Sequence, residues 1–188
     1  MLDYSRSRRK PWIEIAAASL LFLTFACRAT PQMQSFSSSE GRFSVQMPGA
    51  VQQRQKLHEF QDGKSANEYQ FFVSTDLNHV AYIVMYNDIP TDPPAGNPQI
   101  VLMRIRDAVA KGKTLVSDSE ISLNGTPGRA FVLRGANGTL FQMHEFIAGA
   151  RLYQLIVTSG SGYTADQADA FMNSFKLLEA EPSAKHTQ

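Results

Sequence analysis

The sequence predicts an α+β domain, a three-layer α/β/α sandwich around a central antiparallel sheet. Three observations predict it. Strand-length segments alternate between apolar and polar residues and are joined by short glycine turns. The segment Val80 to Tyr86 is apolar on both alternating sets and needs both faces covered. Two segments carry apolar residues at helical spacing, and one helix on each face would cover such a sheet. An open sheet with both helices on one face is the rival arrangement.

Phe43, Val45 and Met47 alternate with Ser44 and Gln46 until Pro48-Gly49 ends the run, which marks a half-buried strand. Gln52 to Phe60 is polar and reads as an edge strand. Asp62-Gly63 is a hairpin signal that returns Ala66 to Ser74 beside it. After the strand Val80 to Tyr86 comes a proline-rich loop from Pro90 to Pro98. Asn97 caps a helix with Pro98 in its first turn, Val101, Leu102, Ile105, Ala108 and Val109 form its apolar stripe, and Gly112 closes it. Leu115 to Leu123, Arg129 to Arg134, Leu140 to Ala148 and Arg151 to Thr158 read as an antiparallel meander. Its turns fall at Asn124-Gly125, Asn137-Gly138 and Gly149-Ala150. Thr164 and Gln167 have capping-box spacing ahead of a last helix that presents Ala168, Phe171, Met172 and Phe175.

The N-terminus is organised for export. Arg6, Arg8, Arg9 and Lys10 precede an apolar run from Ile15 to Ala26, broken only by Ser19 and Thr24. About a dozen apolar residues suit a secretory signal, whereas a bilayer-spanning helix takes about 20. An uncleaved membrane anchor is the alternative. Leu23 to Cys27 resembles a bacterial lipobox, with Ala26 before the only cysteine and Thr24 where leucine is usual. Residues 1–27 are accordingly read as a lipoprotein-type signal peptide with Cys27 as the lipidation site; cleavage after Ala29 is the competing reading. Ser7-Arg8-Arg9 approaches a twin-arginine signal, but Pro11 and Trp12 replace the residues expected next. Residues 28–35 read as a tether, 36–179 as the folded domain and 180–188 as a flexible tail.

Beyond residue 27 there remain 14 basic and 15 acidic residues and no cysteine. The balance offers no basic footprint for nucleic acid, and the domain has no internal disulfide to rely on.

The order of several landmarks resembles the PsbP-like group of small bacterial secreted proteins and lipoproteins. They are Phe36-Ser37-Ser38-Ser39-Glu40-Gly41-Arg42-Phe43-Ser44-Val45 with Met47-Pro48-Gly49, and Leu123-Asn124-Gly125-Thr126-Pro127-Gly128-Arg129. Arg151-Leu152-Tyr153-Gln154-Leu155 and Phe171-Met172-Asn173-Ser174-Phe175-Lys176-Leu177 complete them. The resemblance implies the α/β/α sandwich and a role in binding or assembly. It supplies no catalytic motif or ligand set that can be carried onto positions here.

No motif points to catalysis, a metal or a cofactor. His58, His79, His144 and His186 contain no pair at the i, i+4 helical spacing of a zinc protease. His144 and Glu145 are neighbours on a strand, so they face opposite ways: His144 with Leu140 and Phe146, Glu145 with Phe141, Met143 and Ile147. Asp88 and Asp92 flank the proline-rich loop, but calcium takes six to eight oxygens. Ser159-Gly160-Ser161-Gly162 lacks a hydrolase elbow and a phosphate-loop lysine, and reads as a turn. Asn124-Gly125-Thr126 and Asn137-Gly138-Thr139 match glycosylation sequons, which in a bacterial chain are merely turns. Tyr82, Tyr86 and Tyr153 are expected to pack in the core.

The function expected is that of a non-enzymatic exported cell-envelope module, lipid-anchored through Cys27, that binds or helps assemble a partner protein. A carrier of an apolar small molecule, with a dry cavity lined by Tyr82, Tyr86 or Phe171, is the second reading. An enzyme with an unrecognised site is the third, and it requires titratable groups converging in one cleft.

Overall fold

The computed structural model describes residues 32–59, 63–75, 80–89, 97–159 and 164–179. Cys27, His79, Asp92 and His186, and most of the proline-rich loop, lie outside the described residues, as do the whole segment read as a signal peptide and the residues 180–188 read as a tail. The described residues form a sheet-rich α+β fold. In chain order they are β1 (Gln34–Ser38), β2 (Phe43–Met47), β3 (Gln52–Glu59), β4 (Ser65–Thr75) and β5 (Val80–Asp88). Helix α1 (Pro98–Val109) follows, then β6 (Thr114–Leu123), β7 (Thr126–Arg134), β8 (Leu140–Ala148), β9 (Arg151–Thr158), α2 (Ala165–Ser174) and β10 (Lys176–Leu177).

Seven strands form one antiparallel sheet in the order β3-β4-β5-β9-β8-β7-β6. The expected meander is its β6 to β9 half, and β5 pairs with β9 to join it to the β3–β4 hairpin. The turns have the chemistry that hairpins need. Asn124 and Gly125 both take positive φ, 50° and 83°, as a type I′ turn requires. Gly149, at φ 63°, stands first in the β8–β9 turn, where a type II′ turn places its glycine.

A second sheet, β1-β2-β10, is the main departure from the sequence reading. Gln34 and Ser35, read as tether, are the first residues of β1, and their partners on β2 are Met47 and Gln46. Neither β1 nor β10 has the alternation of a recognisable strand, since β1 is mostly serine and β10 is two residues long. Pairing with β2 makes them strands.

The two faces of the large sheet pack differently. One face presents Tyr82, Val84 and Tyr86 of β5, Phe146 of β8, and Tyr153, Leu155 and Val157 of β9. Phe43, Val45 and Met47 of the small sheet cover it together with Ala168, Phe171 and Met172 of α2 and the adjoining Phe175. The opposite face receives α1. Leu102 packs on Ile147 and Leu152, and Val109 joins the cluster of Phe131, Leu133 and Met143.

Three local corrections concern the helices. Asn97 caps α1 as expected, its Oδ1 accepting from the Gln99 amide at 2.9 Å. The helix ends at Val109 with Ala110 as its C-cap, and Gly112 takes its positive φ of 74° in the turn beyond. Thr164 precedes α2 but makes no side-chain capping bond, so the capping box is not formed. Phe175 lies one residue past α2, in extended conformation, and is still buried.

Gly128 on β7 lies under the Phe146 ring. A Cβ there would come within 2.5 Å of that ring and 2.7 Å of the Glu145 carbonyl oxygen. Gly128→Ala is therefore expected to destabilise the fold by about 2 kcal/mol, the typical cost of overpacking a core. Urea denaturation of parent and variant measures it.

Candidate functional site

Titratable groups converge beneath α1. Across the seven strands, Arg54, Gln70, Met85, Gln154, Glu145, Arg129 and Glu120 stand in one row of directly paired positions. Facing pairs share a face of the sheet, so this row crosses the face on which α1 lies. The buried polar residues among those described, Gln70, Asn87, Arg129, Glu145 and Gln154, all belong to this face. The opposite face carries the aromatic core.

Asp118 of β6 is the centre of the charged part. Its carboxylate accepts from Nε and Nη2 of Arg129, both at 2.6 Å, and from Nη1 of Arg106 on α1. Two guanidinium groups thus share one carboxylate and tie the helix to the sheet edge. Burial pushes the Asp118 carboxyl up, but the hydrogen bonds and charges of Arg129 and Arg106 outweigh it and hold it below the usual range. Gln99, in the first turn of α1, donates from Nε2 to the Gly128 carbonyl at 3.2 Å and adds a second polar tie.

Glu145 faces the other way from His144, as strand geometry requires. It is 0% exposed, and Gln154 Nε2 donates to its Oε1 at 2.6 Å. Its Oε2 has no hydrogen-bond partner among the described residues. Burial raises the carboxyl to about 7, opposed by the Gln154 hydrogen bond and the Arg129 charge. His144 points to the α2 side, edge-on to Phe146 at 6.4 Å, where burial lowers its pKa and the Asp169 charge partly offsets that. The two side chains cannot act as an acid–base pair.

The remaining candidates have ordinary partners. Asp88 receives a bidentate pair from Arg151 at 2.7 and 2.9 Å, and its pKa is held down chiefly by that bond. His58 lies 3.6 Å from Glu68 on the β3–β4 hairpin. Tyr82, Tyr86 and Tyr153 share one face of β5 and β9 as expected. Tyr82 meets Phe171 edge-on at 5.5 Å, so the rings named for a ligand cavity fill that space. Among the described residues no cluster of three or more histidine, cysteine or acidic side chains could hold a metal ion.

The sequence reading passed over Arg106, Asp118, Arg129 and Gln154. One signal was present: Glu145 alternates with Phe141, Met143 and Ile147, and a carboxylate amid apolar residues on one strand face marks a buried acid. The Arg106–Asp118–Arg129 group gives no local signal, because strand pairing and helix docking bring it together.

Two expectations follow. Asp118→Asn should cost about 3 kcal/mol, because it leaves the buried Arg129 guanidinium without its charge partner. Glu145 has a folded pKa above its unfolded one, so the native state binds more protons between about pH 4.5 and 7. Stability from this group is greatest below that window and falls as pH rises through it, by about 3 kcal/mol in all. Glu145→Gln should match the parent at pH 4.5 and exceed it increasingly towards pH 8 in thermal or urea denaturation.

A scan against protein-family models finds no match for the chain, and a search of curated proteins finds none. Similar solved structures include cyanobacterial PsbP (CyanoP) from Synechocystis sp., at 11% identity and a TM-score of 0.52, over 79% of this chain and 94% of that one. A protein of unknown function from Pseudomonas aeruginosa, PA94, aligns at 12% identity and a TM-score of 0.39, over 69% of this chain and 83% of that one. A Bacteroides thetaiotaomicron protein aligns at 14% identity and a TM-score of 0.40, over 79% of this chain and 49% of its own length. At such identity the likeness to CyanoP bears on the fold alone, and by it the chain has a PsbP-like fold.

Proposed function

We propose that the chain is a non-enzymatic exported protein of the cell envelope, a binding or assembly module held at a membrane by lipid on Cys27. The observation that carries this reading is where charge and apolar surface lie. The titratable groups that converge, Asp118, Arg106, Arg129 and Glu145, are bonded to one another or to Gln154 within the fold. Glu145, with no exposed surface, is out of reach of a substrate in solvent. By contrast, Ile100 and Met103 of α1 and Leu115 and Val116 of β6 stand 40–50% exposed on the elements that Arg106 and Asp118 link. Exposed apolar side chains beside a rigid polar tie suit contact with another protein. The helices on opposite faces of the large sheet favour reading the layers as an α/β/α sandwich, in which the small sheet accompanies α2.

The anchor has a direct test. Cys27→Ser should move the protein from the membrane fraction to the soluble fraction; unchanged membrane retention refutes lipidation as the anchor. Crosslinking in intact cells, mild-detergent purification and mass spectrometry test the module. A reproducible stoichiometric partner is expected, and repeated recovery of the chain alone overturns the reading.

A further inference from the structure

Where β8 turns into β9, the turn after β1, the β8–β9 turn and the end of β10 border a cleft of about 400 Å³. Residues 148–150, Leu177 and Leu178 line it together with Tyr153 and Arg42. The cleft is open, its lining is polar and apolar in near-equal parts, and it carries one positive charge.

The Arg42 charge is available to a ligand. The side chain is exposed and makes no ion pair with any described residue. Asp88 is near enough to sense its charge, but Arg151 engages both Asp88 oxygens, and Nη1 of Arg151 holds the Glu40 carbonyl at 2.8 Å. The neighbouring carboxylate is thus already neutralised by a different arginine.

The Arg42 backbone is held in place at some conformational cost. Its φ is 53°, a left-handed conformation that a non-glycine residue seldom adopts. Three bonds impose it: the Arg42 amide donates to the Ser39 carbonyl at 3.2 Å, the Leu178 amide to the Arg42 carbonyl at 2.9 Å, and Tyr153 Oη to the adjoining Gly41 carbonyl at 2.8 Å. Strain maintained by surrounding structure at a non-glycine residue points to a requirement for that side chain.

We infer that this cleft binds the C-terminal carboxylate of a partner's peptide chain, with the Arg42 guanidinium on the carboxylate and an aliphatic last side chain against Leu177, Leu178 and Ala148. A guanidinium fork matches a carboxylate geometrically, and chain termini are a recurrent mode of peptide recognition. The assignment rests on the binding-module reading and names the chemistry of the partner.

The test is an NMR titration of the purified full chain with N-acetyl-Ala-Leu-Leu as free acid and as C-terminal amide. The acid should shift the amides of Arg42, Gly149, Ala150 and Leu178, and bind at least ~10-fold tighter than the amide. Arg42→Gln should bring the acid to the level of the amide, while Arg104→Gln on α1 leaves it unchanged. Arg42→Gly, at ease at this φ, separates loss of the guanidinium from loss of folding and should lose binding equally. Equal affinity for acid and amide, an equal response to inorganic phosphate, shifts confined to other residues, or no binding overturns the inference. A crosslinked partner retained undiminished by Arg42→Gln also overturns it, and leaves the binding-module reading standing.

Discussion

The structure depends on the contact between its two sheets, and Phe43 is the hub of that contact. From the middle strand of the small sheet its fully buried ring meets Phe36, Phe71, Tyr86, Tyr153 and Phe175, with centroids 5.4–6.4 Å apart. These rings come from both sheets and from the segment after α2. Aromatic pairs add about 0.5–1.5 kcal/mol each beyond the area they bury, so one residue couples five segments of the chain. The contact also sets the turn before β2. A Cβ on Gly41 would fall 2.6 Å from Phe43 and 2.8 Å from Tyr86, so only glycine lets the turn pass so close.

The large sheet serves two kinds of interface. On the Phe43 side, burial is almost purely apolar and holds through area and ring geometry. On the α1 side, Leu102, Ile147 and Leu152 supply a smaller apolar contact, and polar ties set the helix position. Apolar contacts tolerate sliding, whereas the shared carboxylate of Asp118 and the Gln99 bond to Gly128 require one placement. The cost is a buried carboxyl at Glu145 and a fold whose stability depends on pH near neutrality. Gln154 offsets part of that cost by bonding one Glu145 oxygen.

Legibility in the sequence followed the length of the signal. The strands Phe43 to Met47 and Val80 to Tyr86 and the four-strand meander carry alternation and turn residues, and they fold where expected, except that β7, read from Arg129, already begins at Thr126. Asn97 and Pro98 likewise place the start of α1. Short or atypical elements were not legible: serine-rich β1 and two-residue β10 acquire their hydrogen bonds only from β2. Thr164 and Gln167 had the spacing of a capping box without forming it, because spacing permits a cap and local geometry decides it. The candidate sites divide the same way. Glu145 was visible as an acid among apolar neighbours, while the group at Asp118 joins residues 106, 118 and 129 through β6–β7 pairing and helix docking.

What the sequence by itself determined is what nearest neighbours control: which segments are strands or helices, where most turns fall, which side chains of a strand share a face, and the divergence of His144 from Glu145. Periodicity and turn chemistry are local, and a few residues suffice to set them. Only the tertiary structure decided the second sheet, the row of polar residues across seven strands, the two guanidinium groups on one carboxylate, and the conformation of Arg42. Each requires residues far apart in the chain to meet, and each draws its energy from desolvation or long-range hydrogen bonds that exist only once the sheets have packed.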